Sequence, residues 1–251
     1  MPAPGPGVCR ICCGPTGGAA AAVCFACRSV GRRLGLPLAP VFPVRLCPLP
    51  GPLYTVLMGY KESPVSEARR RFGPMVRALL DGFLGAHAPC VAAAAGGRPT
   101  LVLPVPSSSR PGGSPLNRVE GLAPAARDRL GGAAWSPHLL ARTGAPVGHM
   151  RPDARAFAVP ASSRPALAGR RVALLDDTYV SGARAQSAAA ALRRAGATSV
   201  VIVAVGRVLR PDRSASHARF LRLSRVPVAT TAGGVVGAPC CRCVQTGAST
   251  E

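Results

Sequence analysis

The stretch Val172-Ala173-Leu174-Leu175-Asp176-Asp177-Thr178-Tyr179-Val180-Ser181-Gly182-Ala183-Arg184 decides how the rest of the chain is read. Its first four residues are apolar without interruption, as expected of a short strand buried on both faces. The strand ends on two adjacent carboxylates. A polar turn with Ser181-Gly182 follows, and the Ala- and Leu-rich run Ala185–Ala195 reads as a helix that Gly196 stops. Ser199–Val205 is a second buried strand. Strand, turn, helix and strand in that order form the repeating unit of a parallel sheet, so the fold class is α/β.

Each residue type in this unit has a chemical use. Gly182 lets the backbone approach a ligand closely, and the N–H groups at the start of the following helix attract an anion such as phosphate. Asp176 and Asp177 stand at the carboxyl end of a strand, where open α/β sheets bind their ligands. Carboxylates there accept hydrogen bonds from sugar hydroxyls or hold a magnesium ion. The competing reading is an ordinary strand–helix turn carrying two solvated acids, but a pair of acids at such a point is uncommon by chance.

The chain has 251 residues, enough for one main domain with a substantial core and a small additional module. Its formal charge is +21, from 31 basic and 10 acidic residues, which points to an anionic partner. Lys61 is the only lysine, and Ala, Gly, Pro, Val and Arg dominate the composition, as a GC-rich coding bias would produce. The charge therefore does not choose between a nucleotide and a strand of DNA. The N-terminus lacks a basic stretch followed by an apolar core, and the apolar runs are strand-sized, so a cytoplasmic protein without signal peptide or membrane span is expected. In that compartment cysteines serve more often as metal ligands than as disulfides.

Cys9-Arg10-Ile11-Cys12 and Cys24-Phe25-Ala26-Cys27 are two C-x-x-C knuckles separated by 11 residues. Thiolates at this spacing close a tetrahedral zinc site, structural in kind because four protein ligands leave no open position. Cys13 is a competitor for the register and is taken as a bystander. Residues 29–51 read as an Arg/Pro/Gly-rich linker, Leu53–Lys61 as a strand, and Ser66–Ala86 as a helix kinked at Gly73-Pro74. Lys61 is either a solvated surface residue or a contact for pyrophosphate, which a compact ammonium suits. Leu101–Pro106 is the next buried strand, and the Ser107–Ser109 loop with Arg110 is a second candidate for holding pyrophosphate. Leu116–Leu130 reads as a helix. Ala141–Gly169 is loop-rich, either a mobile hood over the site or a surface excursion. Cys240, Cys241 and Cys243 close the chain as a disordered tail, an accidental cluster or a weak second metal site.

Val172–Arg184 resembles the phosphoribosyl-pyrophosphate (PRPP) signature of type I phosphoribosyltransferases. The order of Cys9–Cys27, Tyr54–Lys61, Pro104–Pro106, Arg110–Asn117, Arg151–Phe157 and Val172–Arg184 is similar to the ComF-like branch of that superfamily, which is linked to bacterial competence and DNA uptake. The resemblance covers most of residues 9–206. It implies a Rossmann-type parallel sheet with a small N-terminal zinc ribbon, with residues 1–40 as zinc module and linker, 41–235 as the phosphoribosyltransferase-like domain and 236–251 as a tail. It further implies that Asp176 and Asp177 bind the ribose hydroxyls of PRPP, that Val180, Ser181, Gly182, Ala183 and Arg184 wrap its 5′-phosphate, and that magnesium accompanies the pyrophosphate. This chain departs from the pattern at Val180 and Arg184, where Thr is usual, at Thr178, where an apolar residue is usual, and at Asp153, where Asn is usual.

Two functions follow as expectations. The first is a magnesium-dependent transfer of a phosphoribosyl group from PRPP to an acceptor. The second is a non-catalytic PRPP-pocket protein whose arginine-rich surface and zinc ribbon engage single-stranded DNA. Aromatic residues make up only 4% of the chain, so such binding would be driven by the DNA backbone rather than by base stacking.

Overall fold

A computed structural model describes residues 5–63, 65–107 and 113–224 of the chain. In order, the elements are α1 (Phe25–Leu34), β1 (Val41–Pro48), α2 (Pro52–Glu62), α3 (Ser66–Ala95), β2 (Leu101–Pro104), α4 (Leu122–Arg129), β3 (Ala134–Trp135), β4 (Ala141–Arg142), β5 (Phe157–Ala158), α5 (Arg164–Leu167), β6 (Arg171–Tyr179), α6 (Ala183–Arg194), β7 (Ser199–Leu209) and α7 (Ala215–Ser224). Five strands form one sheet in the order β1-β7-β6-β2-β3, with every neighbouring pair parallel. Strands β4 and β5 form a separate antiparallel pair.

The unbroken apolar run of β6 is explained by burial on both sides. Val172 and Leu174 point into one core with Ile202 and α6, whereas Ala173 and Leu175 point into another with Val201, Val203 and helices α2, α3 and α4. Alternation along a strand sends neighbouring side chains to opposite faces, so both sets must be apolar. Helix α6 lies close to the sheet because its buried face consists of alanines, among them Ala185, Ala188 and Ala189. From β6 the chain passes through α6 to β7 on one side, and from β2 through α4 to β3 on the other. The carboxyl ends of β6 and β2 therefore flank the point at which the winding reverses, the usual ligand crevice of such sheets.

Several segments differ from the sequence reading. Residues 53–61 are helical, not a strand: Val56, Leu57 and Tyr60 form a buried stripe at helical spacing, and Pro52 occupies the first turn, where its missing N–H costs nothing. The supposed linker contains β1, an edge strand that pairs with β7 and so tolerates Pro43 and Pro48. Helix α3 runs as a single element of 30 residues through Pro74 and Pro89, held by Val76, Leu80, Leu84 and Val91 against the sheet. By length and composition this helix is long and apolar enough to cross a membrane, and one stripe of it packs on the sheet. The single helix expected over residues 116–130 is divided by Gly121, in the left-handed conformation, into a short 3-10 turn and α4. Strand β7 continues to Leu209, beyond Val205, and α7 follows it. The tail with Cys240, Cys241 and Cys243 lies outside the described residues.

The described N-terminal residues join the main core. Cys9, Cys12, Cys24 and Cys27 are buried in the same cluster as Val172, Leu174 and Tyr179, and Val30 and Leu34 of α1 pack against Ala183 and Ala190 of α6. The connection to β1 is fixed by Gln186, whose amide accepts from Ala39 N at 2.9 Å and donates to Ala39 O at 2.9 Å. Gln186→Leu keeps the volume and strands both Ala39 groups. It should lower the stability by at least about 2 kcal/mol, since each unpaired buried group costs about 1–3 kcal/mol. Urea unfolding at constant m-value would measure it.

Candidate functional site

Asp176 and Asp177 are neither solvated nor free: each is about 4% exposed. Asp177 accepts from Tyr60 Oη at 2.8 Å and from Lys61 Nζ at 3.4 Å, both at the C-terminal end of α2. Arg184, in the first turn of α6, places Nη2 3.1 Å from Asp176 Oδ1 and 3.5 Å from Asp177 Oδ1. Two carboxylates thus meet two cations. Burial pushes the Asp176 carboxyl up, and Arg184 offsets only part of this. For Asp177 burial acts in the same direction, yet Lys61, Arg184 and the Tyr60 hydroxyl together hold it below the ordinary value. Burial and the neighbouring Asp177 charge drive the Tyr60 phenol well up, so Tyr60 stays a hydrogen-bond donor.

Beyond Tyr179 the chain turns sharply through Gly182, which has φ 84° and forms the N-cap of α6. A Cβ on Gly182 would collide with the Tyr179 hydroxyl, so both the backbone angle and the space require glycine. Ser181 Oγ accepts from Met150 N at 3.2 Å and from Ala183 N at 3.4 Å, which fixes the turn to the segment above it. That segment belongs to residues 141–169, which lie over the turn and α6: Asp153 N donates to Ser187 Oγ at 2.9 Å. A cavity of about 270 Å³ opens between them, lined by Lys61, Arg142, His149, Asp176, the Thr178–Gly182 turn and Arg184. Arg142 packs over the Phe157 ring at 4.9 Å, and its Nη1 is buried without a hydrogen-bond partner.

The structure therefore brings Asp176, Asp177, Val180, Ser181, Gly182, Ala183, Arg184 and Lys61 into one site. Arg184 contributes its side chain to the carboxylates, and Lys61 is half-buried in an ion pair with Asp177 instead of being solvated. Arg110 lies outside the described residues. Tyr60 and Arg142 were not singled out by sequence, and His149 enters only as a member of the loop-rich 141–169 stretch; Tyr60 gave a signal as the last member of a buried helical stripe, whereas Arg142, in the two-residue strand β4, has none.

The four knuckle cysteines are also brought together, with all four Sγ atoms within 4.8 Å of one another and Cys12 Sγ 3.8 Å from Cys24 Sγ. Sulfurs bound tetrahedrally to zinc at about 2.3 Å lie about 3.8 Å apart, so the set fits that ion. Cys24 N donates to Cys9 Sγ at 3.3 Å and Cys27 N to Cys24 Sγ at 3.5 Å, contacts that favour thiolates. Hydrogen bonds from the Cys24 and Cys27 thiols draw Cys12 well below its ordinary value, and Cys12 in turn is the main cause that raises those two. Aside from this cluster, no group of three or more metal-ligating side chains occurs among the described residues.

Protein-family models, curated proteins and solved structures contain no match to this chain. What it can do follows from its own side chains.

Two outcomes are expected. Purified protein should carry about one zinc per chain, lost in Cys12→Ser, as elemental analysis would read. Asp177→Asn should destabilise the protein at pH 7 by on the order of 3 kcal/mol, because Arg184 and the half-buried Lys61 both lose this anion. Since the folded-state value of Asp177 is depressed, its contribution is complete above the ordinary carboxylate value of 3.8 and fades as pH falls below it. The gap in thermal midpoint between the two proteins should close over that acid range and stay constant above it.

Proposed function

We propose that the chain binds PRPP and transfers its phosphoribosyl group to an acceptor, as its resemblance to the type I phosphoribosyltransferases implies. The observation that supports this most is the meeting of Asp176 and Asp177, at the end of the central strand, with a glycine turn that opens a 12-residue helix at the reversal point of the sheet. On this reading the backbone of Val180–Arg184 receives the 5′-phosphate, aided by the positive end of α6. Asp176 and Asp177 accept the ribose hydroxyls. Lys61, and Arg110 from the loop after β2, meet the pyrophosphate.

Transfer requires a bond from the acceptor to C1 of the ribose as the bond from C1 to pyrophosphate oxygen breaks, with positive charge developing on the ring. No protein nucleophile is needed; positioning and fixed charge lower the barrier. The carboxylates already face Lys61 and Arg184, an arrangement ill suited to direct magnesium ligation. The magnesium expected with PRPP is therefore assigned to oxygens of the pyrophosphate rather than to this chain.

Titration calorimetry with PRPP and magnesium tests the reading. Wild type should bind in the micromolar range. Asp176→Asn, checked by circular dichroism to be folded, should bind at least about tenfold more weakly, a loss of about 1.4 kcal/mol. Gly182→Ala should abolish binding. Folded wild type that gives no heat with PRPP would remove the proposal. The net charge of +21 favours the second reading, single-stranded DNA binding, which predicts an affinity that falls steeply with salt.

A further inference from the structure

Arg207 is charged, stands within the apolar strand β7 and is only 4% exposed. Its Nη1 donates to three carbonyl oxygens: Tyr179 at 3.3 Å, Val180 at 2.7 Å and Val208 at 2.7 Å. Two of these belong to the turn that carries Ser181 and Gly182. The guanidinium lies 5.5 Å from the centre of the Tyr179 ring, the same ring whose hydroxyl fills the space beside Gly182. On its other side the guanidinium is pressed on Gly14 of the cysteine-bearing segment, where a Cβ would come within 2.9 Å of Nη2. Nε is buried without a hydrogen-bond partner.

A buried guanidinium needs a counter-charge. Four thiolates around one divalent cation leave a net negative centre, and Arg207 lies beside it. When the cation is removed, the Cys9–Cys27 segment loses its cross-link, and with it the fixed surface at Gly14 on which the guanidinium rests. We propose that Arg207 is a positioning residue that couples metal occupancy of the Cys9, Cys12, Cys24 and Cys27 site to the order of the Tyr179–Gly182 turn. The metal site thereby does more than hold the N-terminal segment: it sets whether the anion-binding turn is formed. Such outer partners of metal sites typically change affinity by about 10–100-fold. The inference concerns the turn and the metal, and it stands whether or not the ligand is PRPP.

Hydrogen exchange of the full chain, zinc-loaded and chelator-stripped, tests it without any substrate. In wild type, stripping should speed exchange of the Val180–Ala183 amides by roughly tenfold while Val172–Leu175 in the core of β6 stays protected. Arg207→Met should show the fast turn even with zinc bound, and stripping should then add nothing. Arg207→Lys keeps the charge without the three-carbonyl geometry and should fall between the two. In parallel, zinc competition with a chromophoric chelator should show Arg207→Met binding zinc at least about tenfold more weakly. If stripping leaves the wild-type turn unchanged, or if the turn in either variant responds to stripping as fully as in wild type, the coupling does not exist. A purely structural role would slow or speed the turn equally in both metal states. Should Arg207→Met fail to fold, the wild-type comparison and Arg207→Lys decide the matter alone.

Discussion

Two adjacent carboxylates at the end of a buried central strand constrain everything around them. An unpaired buried anion costs several kcal/mol, so each must find a cation or a donor within the fold. Neighbouring residues on a strand point to opposite faces, and the two acids therefore recruit from different layers. Asp177 is met by Tyr60 and Lys61 from α2, on the side of the sheet that also holds α3 and α4. Asp176 is met by Arg184 from α6, which also reaches across to Asp177. One dipeptide thus pins helices from both layers to the same strand end, and the cavity exists where those helices cannot close over it.

The turn after β6 is held in a similar way from two directions. Above it, Met150 N donates to Ser181 Oγ; below it, Arg207 donates to the carbonyls of Tyr179 and Val180. Tyr179 lies between the guanidinium and Gly182, so the positive φ at Gly182 is supported by packing as well as by hydrogen bonds. A turn fixed on both sides presents its N–H groups without first having to order them, which is what tight recognition of an anion requires.

How much of this could be read from the sequence depends on whether the signal is local. The strand–turn–helix from Val172 to Arg194 was legible because each part carries its own signature: an apolar run, a glycine turn, an alanine helix. The cysteine cluster was legible through its spacing. Residues 53–61 were misread because Leu53, Val56, Leu57 and Tyr60 lie in an apolar run short enough to suit either period, and only packing on α3 decides between them. The strand at Val41–Pro48 was hidden by prolines that an edge position tolerates. The direction of the Arg184 side chain, back towards the acids, is a tertiary fact without a sequence signature. Arg207 did carry one, since a charge inside Val205-Gly206-Arg207-Val208-Leu209 implies a buried partner.

Arg184 is also where this chain's chemistry departs most from the motif it resembles. A threonine there would offer a hydroxyl to a phosphate and leave the acids open; arginine closes them with its own charge. Lys61 and Arg184 balance Asp176 and Asp177, which leaves Arg142 as the uncompensated positive charge in the lining that an incoming anion meets. On the proposed reading, binding is an exchange of partners. Ribose hydroxyls take the place of the guanidinium on Asp176, and the guanidinium, whose side chain is 25% exposed, turns to the ligand's phosphates. Such an exchange keeps every buried charge paired at each end, and its cost is the desolvated Arg184–Asp176 contact rather than an orphaned ion. It also demands a ligand that brings hydroxyls and anionic oxygens together, because either alone would leave one of the two partners unmatched.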